Sequence, residues 1–195
     1  MIDNMAKKIA VKMVRSKIVE SEDEECYVYG LELLLSKIVV LSAIGIIAII
    51  IKLIIPSIAF TFLYLLLRQY TGGFHCKTAE RCISLSIAIY ISFAIISKIG
   101  LKYLGLIMLV MSLISYIVLF AFSPLADANK EIDDYEKKKY RNISIIIGSL
   151  MLVLTVLLFV INYHSLFISV SFSLIADAIL LIIAIMKERR EKTCF

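Results

Sequence analysis

Long apolar runs alternate with short polar segments along the chain, and these runs predict the fold. A helix needs about 20 apolar residues to cross a hydrocarbon core of about 30 Å. Six runs approach or reach that length, at Tyr29–Ile51, Ile54–Leu67, Ile83–Ile96, Tyr103–Phe122, Ile143–Ile161 and Leu166–Met186. The pattern therefore predicts an all-α integral membrane protein with about six transmembrane helices.

Two of these runs, Ile54–Leu67 and Ile83–Ile96, are short for a bilayer, and they flank a polar segment. Irregular backbone is tolerated at membrane depth only where protein surrounds it. The short runs therefore predict that the segment between them dips into the membrane or lies where the bilayer is locally thin.

The N-terminal segment, residues 1–19, has a two-sided helical pattern and is too polar to span a bilayer. At about 100° per residue, its apolar and basic side chains collect on opposite faces. We expect an amphipathic helix in the membrane interface, although a basic start that only sets the topology fits the same pattern. The apolar face comprises Ile2, Met5, Ala6, Ile9, Ala10 and Met13, and the basic face comprises Lys7, Lys8, Lys12 and Arg15.

The composition agrees with a membrane protein and argues against a soluble domain. Hydrophobic residues make up 61% of the 195, and the mean hydropathy is +0.95. Seven Gly and two Pro leave little material for linkers, so we expect a single membrane domain over residues 1–195, with the bundle at 29–186 and a basic tail at 187–195. The four cysteines form no CxxC pair, and a disulfide framework is not expected.

The distribution of Lys and Arg predicts the orientation of the bundle, because basic residues accumulate on the cytoplasmic side. An inside N-terminus leaves Lys52, Lys98 and Lys102 on the outer side and Lys37 within the first span. The other 17 basic residues then face the cytoplasm, together with both termini: Lys7, Lys8, Lys12, Arg15, Lys17, Arg68, Lys77, Arg81, Lys130, Lys137, Lys138, Lys139, Arg141, Lys187, Arg189, Arg190 and Lys192.

Reactive side chains are concentrated in the polar segment Arg68–Cys82, which reads RQYTGGFHCKTAERC. Imidazole is the usual base for a cysteine nucleophile at neutral pH, and His75 and Cys82 supply both groups. On one straight helix they would be about 10.5 Å apart along the axis, too far for a hydrogen bond. The backbone must therefore fold between them if they act together.

The residues around this pair allow such a fold. Gly72 and Gly73 can form a hinge, and Thr78 is a candidate N-cap for the next helix. A helix that starts there places Cys82 in its first turns, where backbone N–H groups and the helix dipole favour a thiolate. Cys76 is the competing nucleophile. A metal site of His75, Cys76 and Cys82 would have too few ligands.

Two other polar features have more than one interpretation. Asp177 lies in the middle of the last span, where a carboxylate is costly and needs a partner or lines a path. The charged loop Ser123–Arg141 is either a solvated, salt-bridged connection or a docking surface for a charged peptide tail. His164 is expected in an outer loop.

The motif resembles that of the accessory gene regulator B family, membrane cysteine endopeptidases of Gram-positive quorum-sensing systems. The resemblance rests on Arg68, Gly73, His75 and Cys82 at their spacing, within a six-span chain that has a basic amphipathic start. The stretch Ser123–Lys130 is similar to the family's Pro and Asn-Lys loop. Many members have Ala where this chain has Cys76.

The resemblance implies that His75 is the base and Cys82 the nucleophile toward a short precursor peptide, with Gly72 and Gly73 supporting the site and no cofactor or nucleic acid involved. An acyl-enzyme thioester would pass its acyl group to an internal thiol or hydroxyl, giving a thiolactone or lactone. Arg68 would hold a substrate carboxylate or orient the loop, unless it is a positive-inside anchor. A homodimer follows from the resemblance alone. The alternative function is a small transporter or assembly factor with a re-entrant loop.

Overall fold

The computed structural model describes residues 2–72, 78–99, 104–125 and 133–193. Within those ranges the chain is helical, and strand-type pairing is limited to an isolated bridge between Gly72 and Leu125. A 3-10 turn at Ser21–Asp23 precedes the second helix. The α-helices are α1 (Ile2–Arg15), α2 (Glu24–Ile50), α3 (Ile54–Thr71), α4 (Ala79–Ile99), α5 (Leu104–Phe122), α6 (Asp134–Val160) and α7 (His164–Thr193).

Helices α2 to α7 are each long and apolar enough to cross a membrane. This confirms the prediction of an all-α integral membrane protein with six spans. The first helix, α1, is not among these spans and matches the predicted amphipathic start, since Ala6 and Ala10 on its apolar face are buried whereas Lys7, Lys8 and Lys12 are exposed. The protein is therefore a multi-pass membrane protein.

The prediction that the second and third spans are short was wrong. Helix α3 has 18 residues and α4 has 21, because both continue through polar residues next to the motif. At 1.5 Å per residue, 18 residues cover about 27 Å, close to the thickness of the hydrocarbon core. Backbone hydrogen bonds propagate a helix regardless of side-chain polarity, so span length gives no reason to expect a locally thin membrane.

The chain divides into two compact units. The first contains α1, α2 and the part of α4 up to Tyr90, and the second contains α3, the rest of α4 from Ile91, and α5 to α7. The expectation of a single membrane domain stays a prediction.

In the first unit, α1 packs on α2. Ala6 and Ala10 are fully buried, and they lie four residues apart on one face of α1. Met5 and Ile9, on the same predicted apolar face, are 48% and 38% exposed. Only the centre of that face is covered by protein, and its flank remains open to a bilayer.

In the second unit, α7 is the central helix. Of its apolar window, 72% is buried inside the protein, against 28% or less for the other spans. Its residues join side chains from α3, α5 and α6 in one core cluster, and a ring stack of Phe60 on Phe93 at 4.4 Å lies beside Phe172 of α7. The cluster comprises Leu67, Leu119, Met151, Val170, Leu174, Ala178 and Leu181.

Candidate active site

The last turns of α3 carry the first half of the motif and are anchored in the second unit. Arg68 is partly buried, and its Nη1 atom is inaccessible to solvent. Asp177 of α7 is fully buried, and neither of its carboxylate oxygens has a hydrogen-bond partner among the described residues. Both interpretations of Asp177, a structural pair and a residue that lines a path, therefore stay predictions.

Gly72 ends α3 in a conformation that side chains rarely adopt, with φ at +68°. The N–H of Leu125 donates to the carbonyl oxygen of Thr71 at 3.0 Å. A Cβ atom at Gly72 would collide with the carbonyl oxygen of Leu125. Both the turn and the close approach of a second chain segment thus require glycine here.

The start of α4 carries the second half of the motif, and local hydrogen bonds define it. The N–H of Arg81 donates to Thr78 Oγ1 at 3.4 Å, and the N–H of Cys82 donates to the Thr78 carbonyl oxygen at 3.2 Å. These are the bonds of an N-cap residue, so the predicted cap is confirmed. Cys82 lies in the first helical turn with an exposed, free thiol.

Gly73, His75 and Cys76 lie outside the described residues. The assignment of His75 as base and Cys82 as nucleophile therefore stays a prediction, as do the roles of Arg68, Gly72 and Gly73. Within the described ranges, no group of three or more His, Cys, Asp or Glu side chains could hold a metal ion.

A basic cleft lies between the end of α5 and the start of α6. Its volume is about 380 Å³, and its wall combines apolar side chains with three cations. Ser123 Oγ donates to Ser144 Oγ and Ser144 Oγ to the Arg141 carbonyl oxygen, both at 2.9 Å, which ties the two helices together. The lining residues are Ala121, Phe122, Ser123, Pro124, Lys137, Lys138 and Arg141.

The start of α6 shows that the interpretation of Ser123–Arg141 as one long loop was wrong. Helix α6 begins at Asp134, so Lys137, Lys138 and Arg141 lie on its first turns. The apolar run starts only at Ile143, and hydropathy alone cannot show that the helix begins before it.

Sequence reasoning missed the polar face of α7. The Ser169 and Ser173 hydroxyls lie 3.0 Å and 3.2 Å from the Pro56 and Phe60 carbonyl oxygens of α3, and each is also within hydrogen-bond distance of a carbonyl oxygen one turn earlier in α7. The four-residue spacing of Ser165, Ser169, Ser173 and Asp177 was the available signal, since such residues share one helix face.

Comparison with known proteins supports the family assignment. The sequence model of accessory gene regulator B matches residues 6–185. AgrB-like protein 2 of Clostridium perfringens (strain 13 / Type A) is 27% identical over 172 residues, which cover 85% of this chain and 80% of the relative. A second AgrB-like protein, from C. perfringens (strain SM101 / Type A), is 27% identical over 145 residues, or 71% of this chain and 68% of the relative.

No solved structure matches the chain. Both relatives are named for their likeness to AgrB, and the family match extends from α1 into the last helix, α7. The chain belongs to the accessory gene regulator B family, membrane proteins that take part in processing autoinducer peptides in quorum sensing.

Proposed function

We propose that this protein is a membrane cysteine endopeptidase that cleaves a short precursor peptide and promotes cyclisation of its N-terminal part. The observation that carries the proposal is the exposed Cys82 thiol in the first turn of a capped helix. A helix N-terminus favours negative charge, and a thiolate is the form of cysteine that attacks carbonyl groups.

In the proposed reaction His75 accepts the proton of the Cys82 thiol, and the sulfur attacks the scissile carbonyl carbon. The peptide C–N bond then breaks, and the amine of the C-terminal part leaves with the proton from His75. The N-terminal part remains on Cys82 as a thioester. Attack by an internal thiol or hydroxyl of the peptide releases a thiolactone or lactone and regenerates the Cys82 thiol.

Ring formation has a physical reason in this setting. An internal nucleophile held beside the thioester has a high effective concentration, and a site at a membrane surface excludes part of the water that would hydrolyse the thioester. Backbone N–H groups at the start of α4 point away from the helix and can stabilise the oxyanion.

Basic residues support a cytoplasmic location for this site. In the topology with both termini inside, 17 of the 21 Lys and Arg residues lie on the cytoplasmic side. A precursor peptide made in the cytoplasm would meet the enzyme on that side. Labelling of single cysteines at the two termini with a membrane-impermeant reagent tests this location. In intact cells neither cysteine should react, and both should react once the membrane is permeabilised and the reagent reaches the cytoplasmic side.

The basic cleft gives the precursor a second contact. Lys137, Lys138 and Arg141 line it, and no carboxylate is among its described lining residues. An acidic segment of the precursor would therefore gain three favourable charge interactions there. Its apolar wall, with Phe122 half exposed, suits an apolar side chain next to the acidic group.

Processing of candidate precursor peptides in membrane vesicles, followed by mass measurement, tests the proposal. Cys82→Ala and His75→Ala should each abolish cleavage while insertion into the membrane is retained. Cys26→Ala is the matched control, because Cys26 is also an exposed free thiol but lies in α2. Cys76→Ala should keep most of the activity. Full processing by Cys82→Ala would refute the proposed nucleophile.

A further inference from the structure

The three residues that follow α5, which we call the bridging segment, join the basic cleft to the end of α3. Ser123 and Pro124 line the cleft. The next residue, Leu125, donates its N–H to the Thr71 carbonyl oxygen at 3.0 Å, and its own carbonyl oxygen lies against Gly72. Three consecutive residues therefore form one wall of the cleft and a support of the motif.

A hydrogen bond to α6 holds the first residue of the bridging segment. Ser123 Oγ donates to Ser144 Oγ at 2.9 Å, and Ser144 Oγ donates in turn to the Arg141 carbonyl oxygen at 2.9 Å. Both serines are buried, with 4% and 2% of their surface exposed. A buried hydroxyl that loses its partner is costly, so the bond favours one position of the bridging segment against α6.

The bridging segment is short and held at both ends. The N–H of Ser123 donates to the Leu119 carbonyl oxygen at 2.9 Å and so continues the last turn of α5. Leu125 packs against the core cluster that contains Leu119 of α5 and Leu67 of α3. A single residue, Pro124, lies between the two ends, and its ring restricts the backbone. A displacement at Ser123 is therefore passed on to Leu125.

The end of α3 depends on the position of Leu125. Its N–H bonds to Thr71, which is 1% exposed, and its carbonyl oxygen leaves no room for a side chain at Gly72. The chain continues from Gly72 into the segment that carries His75, three residues later. A change at Leu125 would thus alter the point from which that segment starts.

We propose that Ser144 is a positioning residue: through Ser123 it fixes the bridging segment, and thereby the end of α3 from which the segment with His75 continues. The same link keeps the wall of the cleft at a constant position relative to the end of α3. Ser144 acts on no substrate atom in this account. Its effect on processing rests on the proposed function, whereas its effect on the end of α3 does not.

The first experiment measures the end of α3 without any activity. In a chain whose four native cysteines are replaced by alanine, Thr71→Cys provides a buried thiol, and its labelling by N-ethylmaleimide is followed in native membranes. With Ser144 intact we expect slow labelling. Ser144→Ala should accelerate it about fivefold, because the end of α3 then opens more often. Ser144→Thr keeps the hydroxyl and should retain slow labelling.

Thr155→Ala is the matched control for this experiment. Thr155 lies on the same helix as Ser144 and is fully buried, but its Oγ1 donates to the Met151 carbonyl oxygen within α6, at 2.9 Å. Its replacement also removes a buried hydroxyl and should leave the labelling at position 71 unchanged. Equal acceleration by both variants, or no acceleration by Ser144→Ala, would overturn the inference.

The second experiment measures processing in the chain with its native cysteines, per amount of folded enzyme in the membrane. Ser144→Ala should lower kcat about fivefold with KM changed less than about twofold, because the three cations of the cleft are retained. Ser144→Thr should restore kcat, and Thr155→Ala should leave it unchanged. A purely structural role would lower the amount of folded enzyme and leave kcat unchanged, and that result would overturn the positioning role.

A double-mutant cycle links both effects to the hydrogen bond between the two serines. Ser123→Ala should reproduce the results of Ser144→Ala in both experiments. The double variant Ser123→Ala/Ser144→Ala should be no worse than either single variant, because both substitutions remove the same bond. Additive losses would mean that the two serines act independently, and they would overturn the link through Ser123.

The two experiments separate this inference from the proposed function. If the unmodified chain processes no precursor while labelling behaves as expected, the proposed function has failed and only the support of the α3 end by Ser144 stands. If the unmodified chain processes the precursor while Ser144→Ala changes neither labelling nor kcat, the proposed function stands and the inference has failed.

Discussion

The two ends of the Arg68–Cys82 motif are built in different ways. At the end of α3, the N–H of Leu125 donates to the carbonyl oxygen of Thr71, and the carbonyl oxygen of Leu125 lies against Gly72. At the start of α4, Cys82 is exposed, and its position is set by two local bonds to Thr78. The first end is fixed by contacts distant in sequence, and the second by its own neighbours.

This difference separates the support of the site from its chemistry. Substitutions at the α3 end should act through packing and displace the backbone of the motif. Substitutions at the α4 end should either remove the reactive group or weaken a single cap. The expected effects therefore differ in size, and variants at the two ends of the motif test this difference.

Among substitutions that leave the proposed Cys82–His75 pair intact, the largest effect is expected for Gly72→Ala. The new methyl group would meet the Leu125 carbonyl oxygen, and the positive φ adds about 1 kcal/mol of strain. We expect processing to fall at least tenfold, on the order of a 1.4 kcal/mol effect or more, and the melting temperature in detergent to drop. Gly45→Ala is the control, since a Cβ atom there meets nothing within 4 Å and Ala favours a helix. Equal activity of the two variants would mean that the Leu125 contact does not support the motif.

An intermediate effect is expected for the triple variant Lys137→Gln/Lys138→Gln/Arg141→Gln. Loss of three cations from the cleft should raise KM for an acidic precursor about tenfold and change kcat little, because the contact is remote from the scissile bond. Added salt should raise KM of the unmodified enzyme and not that of the variant.

The control for this variant is Lys98→Gln/Arg190→Gln, which removes two exposed cations elsewhere in the chain. It should leave KM unchanged. An unchanged KM in the triple variant would show that the precursor does not use the cleft.

The smallest effect is expected for Thr78→Ala. Loss of an N-cap side chain costs about 1 kcal/mol of helix stability. The hydrogen bond from the Arg81 N–H to Thr78 Oγ1 is long, at 3.4 Å, so this cap should contribute no more than that. Processing should fall about two- to fivefold, and Thr78→Ser should restore it. A loss as large as that of Gly72→Ala would show that the α4 end depends on more than its local cap.

The spans and the cap could be predicted because both are local. Runs of apolar residues define membrane helices, and a hydroxyl at Thr78 ahead of Ala79–Cys82 is a helix-start signal. The C-terminal end of α3 and the start of α6 could not be predicted, because polar residues such as Arg68 and Lys137 continue a helix without contributing to hydropathy.

The contacts distant in sequence were also beyond prediction. The contacts of Ser169 and Ser173 with the α3 backbone depend on the register of α3 against α7, and the approach of Leu125 to Gly72 depends on where α5 ends. Gly72 could be identified as a hinge from its residue type, but the neighbour that requires it could not. The spacing of Ser169, Ser173 and Asp177 indicated a polar face without showing which helix it meets.

The cysteine that carries the acyl group tests the proposed function most directly. A precursor analogue that lacks its internal nucleophile should accumulate as a thioester, which can be located by tryptic mass analysis. Trypsin cuts after Lys77 and Arg81 and so separates Cys76, in Gln69–Lys77, from Cys82, at the start of Cys82–Lys98. We predict a hydroxylamine-sensitive adduct on Cys82–Lys98 that adds the mass of the N-terminal part of the precursor less one water. An adduct on Gln69–Lys77, or cleavage without any adduct, would contradict the account.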